Sequence, residues 1–275
     1  MTLSVIISVY QTEKPIYFEE ALKSVWDDQT RKPEQIVLVE DGPLTESLYN
    51  VVNAWKEKLG DVLCVCQNET NLGLTKSLNV ALQHVKTDLV ARMDSDDRSD
   101  EKRFERQEVY FESHPDVDIV GGALQEFDEE HDCLNVRNYP LTHKEAIKYI
   151  MKASPLAHPA VMMRMKIFRE GLRYDERYRM SQDIQLWFDA ILKGYRIGNI
   201  PEVVLYFRRE GNVFKRRSRV KAKNEFKIYM NGIYRMHGLW TTAYRYPIAR
   251  YIFRNLPTPI VKWIYGSRLR TKVLK

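Results

Sequence analysis

Hydrophobic and polar residues follow two patterns along the first hundred positions. Four continuous apolar runs, rich in β-branched residues, predict strands that are buried on both faces: 3–10, 35–42, 61–68 and 88–93. The segments between them repeat apolar residues every three or four positions and predict helices: 15–29, 47–60 and 73–86. Regular alternation of strand and helix is typical of a mostly parallel sheet with helices on both faces, so the sequence predicts an α/β fold.

The second half of the chain is less regular and predicts α+β additions at the edge of that sheet. Its patterns predict helices at 103–115 and 183–194. They predict strands at 118–128, 159–168 and 202–209. The charge pattern changes after residue 214. We therefore predict two domains, a globular body over 1–214 and a separate extension over 215–275.

The composition, with 44% hydrophobic and 29% charged residues, is that of a soluble globular protein. The opening apolar run is short and lacks a basic segment before it, so no signal peptide is predicted. No run reaches the roughly 18 apolar residues that a membrane-spanning helix requires. An odd number of cysteines, three in all, favours a reducing cytoplasm.

Acidic residues follow two of the predicted strands at the point where each strand ends. "EDG" occupies 40–42 and "DSDD" occupies 94–97. In open sheets of this kind, ligands bind beyond the carboxyl ends of the strands, so both motifs are expected to face one crevice. A solvated acidic turn before a helix would account for Asp97 or Asp100. It would not account for Asp94 and Asp96 at a strand end opposite another acidic strand end.

A calcium loop and a phosphatase motif both fit the acidic cluster poorly. A calcium loop would place Ser99 where a glycine is required, and it would follow a helix rather than a strand. A phosphatase with an aspartyl-phosphate intermediate typically has its Asp-x-Asp motif after the first strand. A divalent cation fits better, because Mg²⁺ or Mn²⁺ takes one or two carboxylates and leaves its other positions to water and phosphate oxygens. Asp94 and Asp96 would then hold the metal for a nucleotide diphosphate.

Six motifs along the chain occur in the order that is seen in family-2 glycosyltransferases: "SVIISVY", "EDG", "NLGLTKSLNVAL", "ARMDSDD", "SPLAHPAVMMR" and "SQDIQLW". Over residues 3–210 the chain resembles the small bacterial members that build capsule, exopolysaccharide or O-antigen repeat units. The resemblance is specific as an ordered set, since each motif alone is a weak signal. It implies a GT-A fold, a nucleotide-sugar donor and inversion at the anomeric carbon.

The resemblance also implies a role for four carboxylates. Asp41 is similar to the acid that hydrogen-bonds a uracil ring. Asp94 resembles the first residue of the Asp-x-Asp motif, near ribose and diphosphate, and Asp96 resembles its Mn²⁺ or Mg²⁺ ligand. Asp183 resembles the catalytic base that deprotonates the acceptor hydroxyl. Asp97 would be a neighbour of the metal.

Three further residues are candidates for the nucleotide-sugar site. Asn71 and Gly73 belong to the "NLGLT" motif, and His158 lies between two prolines. Gly73 could equally be a turn glycine, and His158 could equally be a structural loop histidine. Where the family usually has Asp-Asp-Gly-Ser, this chain has Glu-Asp-Gly-Pro at 40–43, and Gln182 replaces an acid before Asp183. The Gln-x-x-Arg-Trp motif of processive synthases is absent, which favours transfer of one sugar per encounter.

The extension is strongly basic. Residues 215–275 contain 16 Lys and Arg residues and one acidic residue, Glu225, whereas the whole chain carries a net charge of only +6. Between 240 and 265, seven aromatic residues are interleaved with these cations. Nucleic acid is one possible partner and a solvated helical tail is another. An anionic inner-membrane surface fits better, because cations and interfacial aromatics both favour it, and no nucleic-acid partner is expected.

Together these features predict an inverting, metal-dependent hexosyltransferase that acts in bacterial surface polysaccharide synthesis. Its donor would be UDP-glucose or UDP-galactose, and its acceptor a saccharide on a lipid diphosphate. The enzyme would be cytoplasmic and peripheral on the inner face of the cell membrane. The alternative is a nucleotide-binding or membrane-associated scaffold that keeps the GT-A fold without turnover.

Overall fold

A computed structural model of the chain describes residues 1–209 and 219–256. The chain divides into two compact units, Met1–Glu210 and Gly211–Lys275. The first unit begins with seven alternating elements: β1 (Leu3–Val9), α1 (Pro15–Val25), β2 (Gln35–Glu40), α2 (Glu46–Leu59), β3 (Leu63–Gln67), α3 (Leu74–His84) and β4 (Leu89–Asp94). The predicted order of strands and helices is therefore confirmed over this half.

The four long apolar runs form the parallel part of one sheet, in the order β3-β2-β1-β4. The residues of β1, β2 and β4 are almost completely buried, and every residue of β2 is buried. The edge strand β3 is mostly half-buried. The register pairs Val9 with Glu40 and Ser8 with Asp94, so the carboxyl ends of β1, β2 and β4 lie side by side. This register places the two acidic motifs at one edge of the sheet.

The rest of the first unit extends the same sheet in the order β4-β8-β6-β9-β5, with β7 beside β6. Its elements are β5 (Arg98–Ser99), α4 (Arg103–Ser113), β6 (Ile119–Phe127), β7 (Asn135–Arg137), α5 (His143–Tyr149), β8 (Met162–Arg164), α6 (Lys166–Arg169), α7 (Gln182–Leu192) and β9 (Ile197–Arg208). The long strands β6 and β9 are parallel, and the short strands β5, β7 and β8 are antiparallel to their neighbours. The result is a mixed sheet within the predicted α/β class.

Two predicted strands have different bounds in the structure. The apolar run at 159–168 forms a strand only over Met162–Arg164 and turns into the short helix α6 at Lys166. Periodicity alone cannot separate a buried strand from a short buried helix, which explains this error. The last strand begins at Ile197, before its predicted start at 202, and a register irregularity near Gly122 accommodates its pairing with β6.

The second unit contains two α-helices within the described residues, α8 (Arg219–His237) and α9 (Arg245–Asn255). An ion pair joins Arg254 and Glu225 at 2.7 Å, and the rings of Phe226 and Tyr251 lie 4.7 Å apart. These contacts hold the two helices as a hairpin. None of the helices described within 1–209 and 219–256 has the length and apolar character needed to cross a membrane. The predicted domain boundary at 214/215 lies outside the described residues.

Candidate functional site

Asp41 lies directly after β2 and is 4% exposed. Its Oδ1 accepts hydrogen bonds from Asn68 Nδ2 at 3.0 Å and from the backbone N–H of Leu72 at 2.8 Å. Its Oδ2 accepts the backbone N–H of Gly73 at 2.9 Å. A carboxylate offers about four acceptor positions, so three bonds leave capacity for one more donor. Asp41 therefore fixes the loop before α3 and can still accept a bond from a ligand.

Gly42 allows that loop to approach the end of β2. Its φ is +85°, in the left-handed region, and a Cβ built on it would lie 2.7 Å from the backbone nitrogen of Asn71. No other residue could occupy this position without moving the loop. Gly73 also has φ +85° and is the N-cap of α3, while Asn71 is exposed. The structure thus brings Asn71 and Gly73 next to the Asp41 turn.

The acidic motif after β4 forms a compact cluster. Asp94, Asp96 and Asp97 each place a carboxylate oxygen within 4.8 Å of the others. Asp97 is fully buried, and its Oδ1 accepts the backbone N–H of Arg208 at 2.8 Å. Its Oδ2 is buried without a hydrogen-bond partner among the described residues. A buried carboxylate oxygen without a hydrogen-bond partner costs free energy. Three carboxylates that converge on such an oxygen suit a hard divalent cation.

Burial and mutual repulsion also change the protonation of the cluster. Burial raises the pKa of Asp96 to about 7, and the negative charges of Asp94 and Glu13 add to the effect. Burial likewise raises the pKa of Asp97 well above its ordinary value, again with contributions from its two acidic neighbours. Both shifts mean that the charged forms of these carboxyls are unfavourable in the protein alone, and a bound cation would stabilise those charged forms.

Two buried arginines, Arg92 and Arg103, lie beside the acidic cluster and balance part of its negative charge. Arg92 is 2% exposed and donates from both terminal nitrogens to the carboxylate of Asp94, one bond measuring 2.6 Å. Arg103 donates to the backbone oxygens of Arg92 and Val161 at 2.8 and 3.1 Å. Burial, with the nearby charge of Arg92, lowers the pKa of Arg103 to about 9. Arg92 therefore fixes the orientation of Asp94, and Arg103 fixes the strand end that carries Arg92.

Residues from distant parts of the chain hold the front of the cluster. Glu13 accepts a hydrogen bond from Ser95 Oγ at 2.6 Å. Arg208, 6% exposed, donates from Nε to the backbone oxygen of Asp96 at 2.8 Å, forms an ion pair with Glu20 and lies 3.9 Å above the ring of Tyr17. No local pattern predicts these contacts, because α1 and β9 are both far from the acidic motif along the chain.

Two groups of possible metal ligands occur in the described part of the chain. Besides the acidic cluster, Cys64, Cys66 and His84 bring ligand atoms within 4.8 Å of one another. Burial raises the pKa of Cys66 to about 12, with the neighbouring Cys64 contributing. Thiol and imidazole suit softer metals, whereas Mg²⁺ and Mn²⁺ prefer carboxylate oxygens. The acidic cluster is therefore the group that fits the metal of a nucleotide diphosphate.

His158 lies inside the protein beside this site. It is 8% exposed, its Nε2 is 2.8 Å from the hydroxyl of Tyr174, and its ring is edge-on to Trp187. Burial, with the charge of Arg92, lowers the pKa of His158 well below its ordinary value, so the ring is neutral. His158 thus positions Tyr174, and its predicted contact with the nucleotide sugar stays a prediction.

Asp183 lies in the first turn of α7 and is half-buried. The residue before the helix, Ser181, has a left-handed φ of +62°, which is unusual for a residue with a side chain and sets the direction in which α7 begins. Burial raises the pKa of Tyr174, and the charges of Asp183 and Asp94 both add to this shift. Tyr174 is therefore within electrostatic reach of the acidic cluster and of Asp183.

Two solved structures have a similar fold. Staphylococcus aureus TarS 1–349 in complex with UDP-GlcNAc gives a TM-score of 0.66 at 21% identity, and the match covers 100% of this chain and 76% of that one. The mannosyltransferase PcManGT from Pyrobaculum calidifontis, in complex with GDP-Man and Mn²⁺, gives 0.64 at 15% identity, covering 99% and 78%. The fold is therefore that of the GT-A glycosyltransferases, as predicted.

Sequence comparisons define the family. The family model described as "Glycosyl transferase family 2" matches residues 4–172. The amylovoran biosynthesis glycosyltransferase AmsE of Erwinia amylovora is 34% identical over 264 residues, covering 95% of this chain and 97% of the relative. An Escherichia coli protein named UDP-Gal:alpha-D-GlcNAc-diphosphoundecaprenol beta-1,3-galactosyltransferase is 30% identical over 270 residues, covering 97% and 96%. The chain belongs to glycosyltransferase family 2, whose typical mechanism inverts the anomeric centre.

Proposed function

We propose that this glycosyltransferase moves one hexose from a uridine diphosphate sugar to a saccharide carried on a lipid diphosphate, in the synthesis of a bacterial surface polysaccharide. The observation that carries the proposal is the position of Asp41 and the Asp94–Asp97 cluster at the carboxyl ends of β2 and β4, the two strands that flank β1. The names of the relatives support the biological setting, since they refer to amylovoran and to a diphosphoundecaprenol substrate. UDP-glucose or UDP-galactose is the expected donor.

The donor's base and ribose would bind at the Asp41 turn. The remaining acceptor position of Asp41 suits the N–H of a uracil ring, and Asn71 and Gly73 lie on the loop that Asp41 holds. Asp94, oriented by Arg92, would face the ribose and diphosphate. His158 and Tyr174 would form the buried wall beside the sugar.

Asp96 and Asp94 would hold Mn²⁺ or Mg²⁺. When bound, the cation neutralises the charge that develops on the diphosphate leaving group. Asp97 and Arg208 fix the turn that carries Asp96, because the backbone of Arg208 donates to Asp97 and its guanidinium donates to the backbone of Asp96. The metal site would therefore be positioned by β9 as well as by β4.

Asp183 would act as the base. An acceptor hydroxyl is a weak nucleophile at neutral pH, so a carboxylate must accept its proton as the new bond to the anomeric carbon forms. The bond between that carbon and the diphosphate oxygen breaks in the same displacement, and the configuration inverts. Asp183 is held for this role by α7, whose apolar face is buried in the body.

The second unit would bind the anionic surface of the inner membrane. Its described residues include Trp240, 97% exposed, and Leu239, 70% exposed, at the turn between two basic helices. Exposed apolar residues flanked by cations suit a membrane interface. A lipid-linked acceptor would lie at that surface, and the enzyme would then be peripheral on the cytoplasmic face.

A catalytically silent scaffold with the same fold is the alternative. A direct test is release of UDP from a panel of UDP-hexoses, with Mn²⁺ and with a chelator, in the presence of a synthetic diphosphate-linked saccharide. We expect metal-dependent turnover with UDP-glucose or UDP-galactose. Asp96→Asn should abolish the metal-dependent turnover, because it weakens the cation site. Asp132→Asn, a change at an exposed acid, should leave that turnover unchanged. A wild-type protein without turnover on any donor would support the scaffold.

A further inference from the structure

A cavity of about 480 Å³ lies beside α5, in a part of the first unit to which the sequence motifs assign no function. The segment 138–152 forms its lining, which includes Tyr139, Tyr149, Lys148 and Lys152. The size is that of a small-molecule binding site. Its lining combines aromatic and cationic side chains.

The walls of the cavity are firmly attached to the sheet. The side-chain amide of Asn199, on β9, donates to the backbone oxygens of Pro140 and Pro155 at 2.7 and 3.1 Å, and its backbone N–H donates to Leu141 at 3.1 Å. The N-terminus of α5 is closed by a capping box between Thr142 and Glu145. These bonds hold the cavity in shape before any ligand arrives, which lowers the entropic cost of binding.

The side chains of the cavity suit a sugar that carries an anionic group. Tyr149 is 38% exposed, so part of its ring is open to a ligand, and an aromatic ring offers a flat surface to the C–H face of a pyranose. Lys148 and Lys152 supply positive charge that suits a phosphate group. Glu145 also lines the cavity, but its carboxylate accepts hydrogen bonds from the backbone N–H and hydroxyl of Thr142. The two lysines therefore give the cavity its preference for an anionic ligand.

Tyr139 connects this cavity with the predicted base. Its ring packs against the hydrophobic core and also borders the cavity. Burial raises the pKa of Tyr139 to about 12; the charge of Arg137 opposes the shift, while Tyr149 and Asp183 add to it. Tyr139 is thus within electrostatic reach of Tyr149 on the cavity wall and of Asp183. The chain also continues from Lys152 on the cavity wall to His158, which lies beside the acidic cluster.

We propose that this cavity binds the acceptor, with Tyr149 against its sugar ring and Lys148 and Lys152 toward its diphosphate. The inference rests on the proposed function, and it assigns the acceptor a place that is separate from the donor residues at the strand ends. Recognition of the diphosphate by the lysines would make the enzyme prefer diphosphate-linked saccharides over the same sugar without that group.

The test uses the full chain, UDP-galactose and UDP-glucose with Mn²⁺, and two acceptors: GlcNAc diphosphate with a short alkyl chain, and the same alkyl GlcNAc without the diphosphate. Tyr149→Ala should raise the acceptor KM for both acceptors by roughly 10-fold or more, the usual effect of one lost substrate contact. Lys148→Gln should raise KM only for the diphosphate acceptor.

Lys144→Gln is the matched control, because Lys144 lies exposed on the same helix but does not line the cavity. UDP affinity, measured by calorimetry, should be unchanged in all three variants.

The outcomes separate this inference from the proposed function. If the wild type transfers sugar and both cavity variants keep its acceptor KM, the cavity is not the acceptor site and the proposed function stands. If the variants lose UDP affinity instead, the cavity belongs to the donor site and the inference is wrong. If the wild type binds UDP-sugar but neither binds nor uses the diphosphate acceptor, the acceptor class and this inference fail together.

Discussion

Asp96 is the residue at which stability and function are expected to oppose each other. Its pKa is raised from 3.8 to about 7, chiefly by burial and by the charge of Asp94. A folded state that binds its proton more tightly than the unfolded chain loses stability as the pH rises between these two values. Without a cation, the wild type should therefore lose stability from about pH 4 to pH 7.

The variant Asp96→Asn should escape this loss, because an amide carries no charge. In chelator, we expect the melting temperature of Asp96→Asn to exceed that of the wild type at pH 8, and the difference to shrink at pH 5. Differential scanning fluorimetry at both pH values measures it. A wild type as stable as Asp96→Asn at pH 8 would show that the cluster is not under electrostatic strain.

The residues of the candidate site differ in how far the sequence could predict them. Asp41, Asp94 and Asp96 follow apolar runs, and that position alone places them at strand ends. Arg92 is two residues from Asp94, so its ion pair could also be anticipated, since alternate strand residues share a face. Arg208 reaches Asp96 from β9, a contact set by long-range strand pairing that no local pattern encodes.

At the scale of elements, the turn after β2 and the loop before α3 are expected to form one unit. A Cβ at Gly42 would lie 2.7 Å from the backbone of Asn71. Gly42→Ala should therefore displace the loop that Asp41 holds and weaken UDP binding. An alanine in a left-handed backbone conformation costs about 1–2 kcal/mol by itself. Gly42→Ala should lower the free energy of unfolding by more than this amount.

Gly171→Ala is the matched control for this change. Gly171 also has a left-handed φ, +93°, but a Cβ there would meet nothing within 4 Å. It should lower the stability by the backbone cost only and leave UDP binding unchanged. Urea denaturation and calorimetry with UDP measure both quantities. Equal effects of the two variants would contradict the close approach at Gly42.

The elements themselves were predictable where apolar patterns are long. β1 to β4 and α1 to α3 could be predicted because each buried run or amphipathic stripe is continuous. The strands β5 and β7 have only two and three residues, too few for a pattern, and they form because β9 and β6 offer unpaired edges. Helix α5 shows a local signal that the prediction did not use, its Thr142–Glu145 capping box.

At the scale of the whole molecule, the account predicts salt-dependent binding to anionic membranes. Vesicles that contain anionic lipid should bind the full chain, and binding should weaken as the NaCl concentration rises, because salt screens charges near the surface. Trp240→Ser should weaken partitioning by about 1 kcal/mol or more, through loss of buried apolar area. Val109→Ser, a change at an exposed apolar residue of the first unit, should have no effect. Binding that ignores salt and lipid charge would remove this part of the account.

We expect the first unit to bind a nucleotide sugar at the strand ends and to transfer its sugar with Asp183 as base. Asp183→Asn keeps the shape of the side chain but cannot accept a proton, so transfer to a diphosphate-linked saccharide should fall by roughly 10²–10⁴-fold. Asp189→Asn, on the same helix, is the control and should stay near wild type.

The decisive measurement is kcat for Asp183→Asn together with its calorimetric affinity for the UDP sugar in Mn²⁺. We expect a large loss of kcat with wild-type donor affinity, because this residue is proposed to contact the acceptor and not the donor. Near-normal kcat in Asp183→Asn would contradict the account, and a parallel loss of donor affinity would assign Asp183 to the donor site instead.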